Sequence, residues 1–403
     1  MRTLIKNGTV FYKSQLSRLD ILINEQGLVQ EVDTGIDEIN TNIINARGMT
    51  IIPGLIDVHV HLREPGFEYK ETIKTGTQAA AAGGFTTICC MPNLNPVTDN
   101  KAHLQYLQTL INKDAVVHVL PYASITLKEQ GHHVVDMEAL APNCFAFSDD
   151  GVGLANDDIM EEAMEIGKTV GKPIVAHCEL HNNEDIDTEE FEIGRDLKLA
   201  EETGCQYHVC HVSTKNSLDL IRKHKTDKIS CEVTPHHLLI NKETMRHEGS
   251  FKMHPPIRPR EDQEAMAHGL MDGTIDMVVT DHAPHSIQEK IATYDEALNG
   301  VVGLETSLAL IYTNFVRNER ISFARMMELM CSNPTRIFKI KGGEIKVNQP
   351  ADLAIVDFNQ KWTIDSRTFI SKGRSTPFNG WECYGKVQYT LLNGKIVYEG
   401  THE

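Results

Sequence analysis

Pro53-Gly54-Leu55-Ile56-Asp57-Val58-His59-Val60-His61-Leu62-Arg63 is a short apolar run that ends in two histidines two positions apart, with an arginine two further on. On a strand, residues i and i+2 share a face, so His59 and His61 can converge on one metal ion. With 19 histidines in 403 positions, about one such pair arises by chance. The pair takes its meaning from its place, at the end of the first strand of a core.

Seven more apolar runs follow it: Phe85 to Cys90, Val116 to Pro121, Cys144 to Phe147, Pro173 to Ala176, Tyr207 to Cys210, Ile229 to Val233 and Met277 to Thr280, with Ile56 to Val60 as the first. Between most of them lie amphipathic segments of helical length: Glu71 to Ala82, Lys101 to Ile111, Asp157 to Val170, Glu189 to Glu202 and Lys215 to His224. Glu261 to Asp272, Gly303 to Asn318 and Phe323 to Cys331 complete the helical set. This alternation predicts an α/β fold with a parallel sheet. An open doubly wound sheet gives a similar string, but no Gly-rich phosphate turn follows the first strand, and candidate ligands recur at the carboxyl ends of several strands. Both features favour a closed (β/α)8 TIM-type barrel. The two ends of the chain read differently. Thr3 to Ile5, Asp20 to Asn24 and Ile43 to Ala46 at the start, and Ala351 to Asp357, Val387 to Leu392 and Lys395 to Tyr398 at the end, are short strands punctuated by Asn-Gly turns.

Composition narrows the functional classes. The chain has 41% hydrophobic, 24% charged and 6% aromatic residues, a globular profile. Its 39 basic against 56 acidic residues give a net charge of −17 with no Lys/Arg cluster, which argues against nucleic acid as a partner. The 9 cysteines contain no Cys-x-x-Cys pair, which suits a reducing cytoplasm. The opening MRTLIKNGTVFYKS has no apolar core with a cleavage site, and no run of eighteen apolar residues occurs, so neither export nor a membrane partner is expected.

The remaining strand ends carry Phe147-Ser-Asp149-Asp150-Gly151, Ala176-His177-Cys178-Glu179, Val209-Cys210-His211-Val-Ser213 and Thr280-Asp281-His282-Ala-Pro284-His285. Each alone has an ordinary reading: paired Asp can cap a turn, and a His in an apolar strand is more often a satisfied core residue. Together they place His, Asp and His groups at five strand ends, a set that suits two zinc-like ions bridged by one carboxylate. Such a centre hydrolyses amides or forms them. Asp281 is placed as general base and acid. Arg63 suits a substrate carboxylate, which its planar fork grips at two points.

These motifs, with Glu64-Pro65-Gly66, Cys90-Met-Pro-Asn93, Asn333-Pro334, Lys341-Gly-Gly-Glu-Ile345 and Thr376-Pro-Phe378, resemble the dihydroorotases of the amidohydrolase superfamily, in the bacterial type with a bridging Asp. The resemblance spans nearly the whole chain. It implies a barrel over residues 53–344, flanked by a small β-sandwich domain built from both termini, 1–52 and 345–403. It implies reversible cyclisation of N-carbamoyl-L-aspartate to L-dihydroorotate in pyrimidine (UMP) biosynthesis, with two zinc ions per subunit. His59 and His61 would hold one ion, and His177 and His211 the other. Asp150 would bridge them, with Asp149 the alternative. Asp281 would bind metal and act as the catalytic base. His61, Arg63, Asn93, His254, His285, Asn299 and Gly300 would contact substrate.

The family further implies a homo-oligomer, a dimer, and association with aspartate transcarbamoylase. Three departures bear on the substrate. His254 stands where the family has Asn, Leu298-Asn299-Gly300 replaces Pro-Phe-Gly, and Leu180 to Glu192 is shorter and more acidic than expected. An allantoinase or hydantoinase would share the barrel and metals but has no use for Arg63. A non-catalytic homologue would have lost ligands, and all six are present.

Overall fold

The structure is a computed structural model that describes residues 1–179, 186–291 and 293–400. Its centre is a ring of parallel strands. Leu55–Val60, Phe85–Cys90 and His118–Pro121 form one arc, and Ile174–Ala176, Tyr207–Val209, Ile229–Val233 and Met277–Val278 form the other. The expected fourth strand, Cys144 to Phe147, is reduced to one residue. Phe147 makes parallel bridges to Ala123 on one side and Ile174 on the other, and beside it the Ala123 N–H donates to the Ala146 carbonyl at 3.1 Å and the Ser148 N–H to the Ala123 carbonyl at 3.0 Å. The ring closes where Val60 pairs with His282 and the His61 N–H donates to the His282 carbonyl at 2.9 Å.

Ile56, Val58, Cys89, Met91, Tyr122, Ala146, Val175, Cys210, Met277 and Val279 fill the lumen and exclude water from it. Strand residues of the opposite facing, such as Leu55, Ile88, Val209 and Val233, pack against the helices in the largest core. Asp57, buried in the first strand, accepts the N–H of His59 and, at 3.0 Å, that of Thr280 in the last. It ties the two ends of the ring together, and burial pushes its carboxyl up to about 7.

Two helices start and stop where the sequence places them. Asn156 caps Asp157–Val170, which ends on Gly171 at φ 69°, and Thr214 caps Lys215–His224. Thr72 is the cap of Ile73–Ala82, so the expected start at Glu71 falls two residues early. The expected Gly303 to Asn318 helix begins only at Ser307 and widens into a π-type turn at Tyr312–Val316. Of the acidic segment Leu180 to Glu192, the first six residues lie outside the described residues, and the rest opens the helix Ile186–Thr203.

Both termini meet in one six-stranded sheet, in the order Lys395–Glu399, Glu382–Leu392, Leu353–Thr363, Thr50–Pro53, Thr9–Tyr12 and Gln15–Arg18. A four-stranded sheet of Val29–Asp33, Asp20–Ile23, Thr3–Lys6 and Asn42–Asn45 shares a core with it through Ile5, Ile21, Ile23, Ile51, Leu353 and Ile355. This is the small β-sandwich domain. Among the described residues no helix is long and apolar enough to cross a membrane. All nine cysteines are buried and none is in a disulfide.

Candidate active site

The carboxyl ends of the barrel strands surround a cavity of about 270 Å3, whose wall includes His61, Arg63, Asn93, Asp150, His177 and His211. His254, Asp281, His285, Asn299 and Gly300 line it as well. His59 lies beneath, fully buried. Every residue expected at the site is therefore in this cavity or directly under it.

Asp150 is the centre of the cluster. Its Oδ1 lies 3.2 Å from His59 Nε2, 3.7 Å from His177 Nδ1 and 3.8 Å from His211 Nε2, and its Oδ2 lies 3.3 Å from His61 Nε2. The neighbouring Asp149 is occupied elsewhere. It accepts the N–H groups of Ile125 and Thr126 and the Thr126 hydroxyl, which anchors the loop after the third strand. Direction, which the sequence left open, separates the two carboxylates.

The donor atoms form two overlapping triads, His59-His61-Asp150 and Asp150-His177-His211, with the atoms of each triad within 4.8 Å of one another. His59 Nε2 and Asp150 Oδ1 face each other in the buried interior without a hydrogen bond. Buried polar atoms are costly unless satisfied, and these spacings suit cations held about 2.0–2.2 Å from imidazole and carboxylate donors. The electrostatics point the same way. Burial alone would lower the His59 imidazole, but Asp150 and Glu232 hold it well above its ordinary value. Against the cost of burial, the surrounding histidines keep the Asp150 and Asp281 carboxylates far below the carboxylate range. Ionised acids in a dry pocket require positive charge beside them, and the residues present fit divalent metal.

Orientation of the clustered imidazoles comes from behind. His59 Nδ1 donates to Glu232 at 2.6 Å, and His61 Nδ1 donates to Asn93 Oδ1 at 2.9 Å. Each bond fixes a tautomer whose Nε2 faces Asp150. Glu232 also accepts from His208 Nε2 at 3.0 Å, and Ser230 bonds the far nitrogen of that ring at 2.7 Å. Glu232 was not among the expected site residues. Its signal is a carboxylate inside the apolar run Ile229 to Val233, a placement that demands a partner. Asn93 does more than line the cavity, since its amide also donates to the Asp150 carbonyl at 3.3 Å.

Asp281 Oδ1 lies 3.1 Å from His61 Nε2 and 3.6 Å from His59 Nε2. Its backbone has φ 44°, with His211 at 25° and Arg63 at 61°. Such left-handed conformations cost roughly 1–3 kcal/mol each outside glycine, and here they turn three site side chains inward. Arg63 Nε donates to the Pro284 carbonyl at 3.2 Å, which steadies the guanidinium. His285 Nε2 donates to the Asn299 carbonyl at 2.7 Å and its Nδ1 accepts from Lys70 at 3.2 Å. Burial and the adjacent Arg63 and Lys70 cations push its imidazole down to about 3, so it is a neutral ring. His254 stacks on His177 with ring centroids 5.0 Å apart and an interplanar angle of 27°.

Residues 50–397 match the model of the amidohydrolase family. Over 99% of both chains the sequence is 43% identical to a dihydroorotase of Bacillus cytotoxicus. It is 44% identical to a dihydroorotase of Staphylococcus aureus (strain Mu50), over 98% of this chain and 99% of that one. Among solved structures, an L-hydantoinase (dihydropyrimidinase) of Arthrobacter aurescens superposes with a TM-score of 0.89 at 25% identity, covering 98% of this chain and 96% of its own. A dihydropyrimidinase of Brevibacillus agri superposes at 0.88 with 22% identity, over 99% and 95% of the two chains, a likeness of fold alone. A family match over most of the length, and relatives alike from end to end, mean that the chain belongs to the amidohydrolase family, among its dihydroorotases.

Proposed function

We propose that the chain is a dihydroorotase that interconverts N-carbamoyl-L-aspartate and L-dihydroorotate, a step of pyrimidine synthesis. The observation that carries the reading is a guanidinium, Arg63, in the wall of the same cavity as the His and Asp cluster. A ring amide that also bears a carboxylate needs both, whereas an uncharged hydantoin or allantoin ring needs only the cluster.

The proposed sites follow from that pairing. His59, His61, His177 and His211, with Asp150 between them and Asp281 beside them, would hold the metal. Zinc, two ions per subunit, suits this donor set. When bound, such ions polarise the scissile carbonyl and make the attacking water more acidic. Arg63 grips the substrate carboxylate in a two-pronged hydrogen bond, and Asn93, His254, His285 and the Asn299-Gly300 backbone border the rest of the ring. Asp281, held ionised by its histidine neighbours, accepts a proton from the attacking water. It returns that proton to the ring nitrogen as the C–N bond breaks, and in ring closure the transfers run in reverse. The neutral His285 donates no charge and serves as a rigid wall.

The assembly we propose is a homodimer in the cytoplasm, with aspartate transcarbamoylase as candidate partner. Native mass spectrometry of the purified protein counts both the metal ions and the copies. The activity test is ring opening of L-dihydroorotate beside hydantoin and allantoin, by protein of measured zinc content. Turnover of dihydroorotate alone is the expected result, and silence toward it with both ions bound would overturn the reading. Arg63→Lys is expected to raise KM for dihydroorotate roughly tenfold, because Lys lacks the planar fork. An unchanged KM would place the carboxylate elsewhere.

A further inference from the structure

Lys290 is buried, 7% exposed, at the end of the short helix Ile287–Lys290. Its Nζ donates to the carbonyl of Leu298 at 2.7 Å and to that of Lys252 at 3.0 Å. The Gly300 N–H reaches the same Lys252 carbonyl at 3.1 Å. One ammonium thus joins two loops that face the cavity from different barrel strands. The first carries His254, two residues after Lys252. The second carries Leu298, Asn299 and Gly300, and both are among the three segments expected above to depart from the family pattern. The packing between the loops is close, since a methyl group added at Gly249 would lie 2.3 Å from the Lys290 carbonyl.

Among the described residues no carboxylate pairs with this ammonium. Glu289 is held by Lys70 and by the Ser286 cap, Glu248 by Arg246, Asp295 by His247, and Glu296 by the Thr293 hydroxyl. Lys252 points its own Nζ to the Asp295 carbonyl. His254 faces the Glu179 carbonyl at 3.4 Å, and His285 faces Asn299 and Lys70. A buried cation without a counter-ion is an expensive way to fasten two loops, and a hydrophobic side chain would serve mere packing better.

We propose that Lys290 is a positioning residue for substrate: its ammonium fastens the Lys252 carbonyl to the Leu298 carbonyl and thereby sets the spacing between His254 and Asn299-Gly300 around the bound ring. The inference rests on the reading of this cavity as the dihydroorotate site. It assigns Lys290 to substrate affinity and leaves metal loading and the chemical step to other residues. Burial, with Lys252 nearby, pushes the Lys290 ammonium down to about 7, so the fastening weakens as the pH rises past neutrality.

The test compares wild type with Lys290→Met, which keeps length and drops both bonds. KM and kcat for dihydroorotate, bound metal and the thermal midpoint are measured from pH 6 to 8.5. KM of the variant is expected to be about tenfold higher at pH 6, with kcat within twofold of wild type and metal content unchanged. The ratio of the two KM values should shrink above pH 7, where wild type loses its own proton. An unchanged KM, a pH-independent ratio, or a joint fall of kcat and metal content would each overturn the proposal. If Lys290→Met does not fold, Lys290→Gln, which keeps an N–H donor without the charge, is expected to raise KM by a smaller factor with the same convergence, and an unchanged KM overturns it. Wild type that ignores dihydroorotate at every pH would instead count against the functional reading itself.

Discussion

His59 divides its two nitrogens between opposite tasks. Nε2 faces Asp150, and Nδ1 is committed to Glu232 at 2.6 Å, whose carboxyl is held down at about 2, against the cost of burial, by the flanking His59 and His208 rings. Glu232→Gln would present an amide that cannot equally accept from both histidines. Metal affinity, measured by competition with a chelator, is expected to fall about 10–100-fold, and full affinity in the variant would leave His59 oriented by packing alone. Asp281→Asn is expected to bind metal and substrate but lose a factor of about 10²–10⁴ in kcat, and a rate kept across the pH range would remove Asp281 from proton transfer. These residues differ in how visible they were from sequence. The strand-end His and Asp groups stood out because each sat where a barrel places ligands. Asp149 and Asp150 could not be told apart, since only the bonds from Ile125, Thr126 and the Thr126 hydroxyl decide which carboxylate is already satisfied. Lys70, which bonds His285, gave no local signal at all, because its partner is 215 residues away.

Helices with strong periodicity and polar caps, such as Asp157–Val170 and Lys215–His224, are legible in the sequence to the residue. The strands are legible as apolar runs, but not their hydrogen bonding: Cys144 to Phe147 has the composition of a strand and bridges its neighbours at Phe147 alone. Least legible is the segment after Trp362, between the last two long strands of the small domain. Ser371 in that segment lies against the barrel, where its hydroxyl donates to Glu71 and accepts the Gly373 N–H at 3.0 Å. Glu71 in turn lies 3.4 Å from His282 Nε2, beside the proposed base. The segment is thus a brace behind the eighth strand, formed by residues with no periodic pattern to announce them. Ser371→Ala removes a buried hydrogen bond and is expected to cost about 1–3 kcal/mol of stability in denaturant unfolding. No loss would mean that the hydroxyl is replaced by solvent without penalty.

For the molecule as a whole, the segment between the last two long strands of the β-sandwich domain is joined to the barrel by buried hydrogen bonds as well as by covalent chain. Glu305, just before the helix Ser307–Ile311, accepts the N–H groups of Ile370 and Ser371 at 2.9–3.1 Å. Burial pushes its carboxyl up to about 7 in spite of those bonds. A raised acid is favoured in its neutral form by folding. Its contribution is therefore fully present below the unfolded value near 4.5 and is lost as the pH rises through about 7. The thermal midpoint of wild type is expected to decline between pH 5 and 8, and Glu305→Gln should flatten part of that decline. A parallel pair of curves would show that Glu305 does not titrate in this range. The closure of the ring has a consequence for how the enzyme comes into being. His61 and Asp281 are 220 residues apart in the chain, and the strands that bear them are the first and last of the barrel. A chain emerging from the ribosome exposes its first two histidines long before it has made their acidic partners. The full candidate ligand set exists only after the last strand has docked, so metal acquisition by that set would be a late event in biogenesis and would report that the barrel is complete.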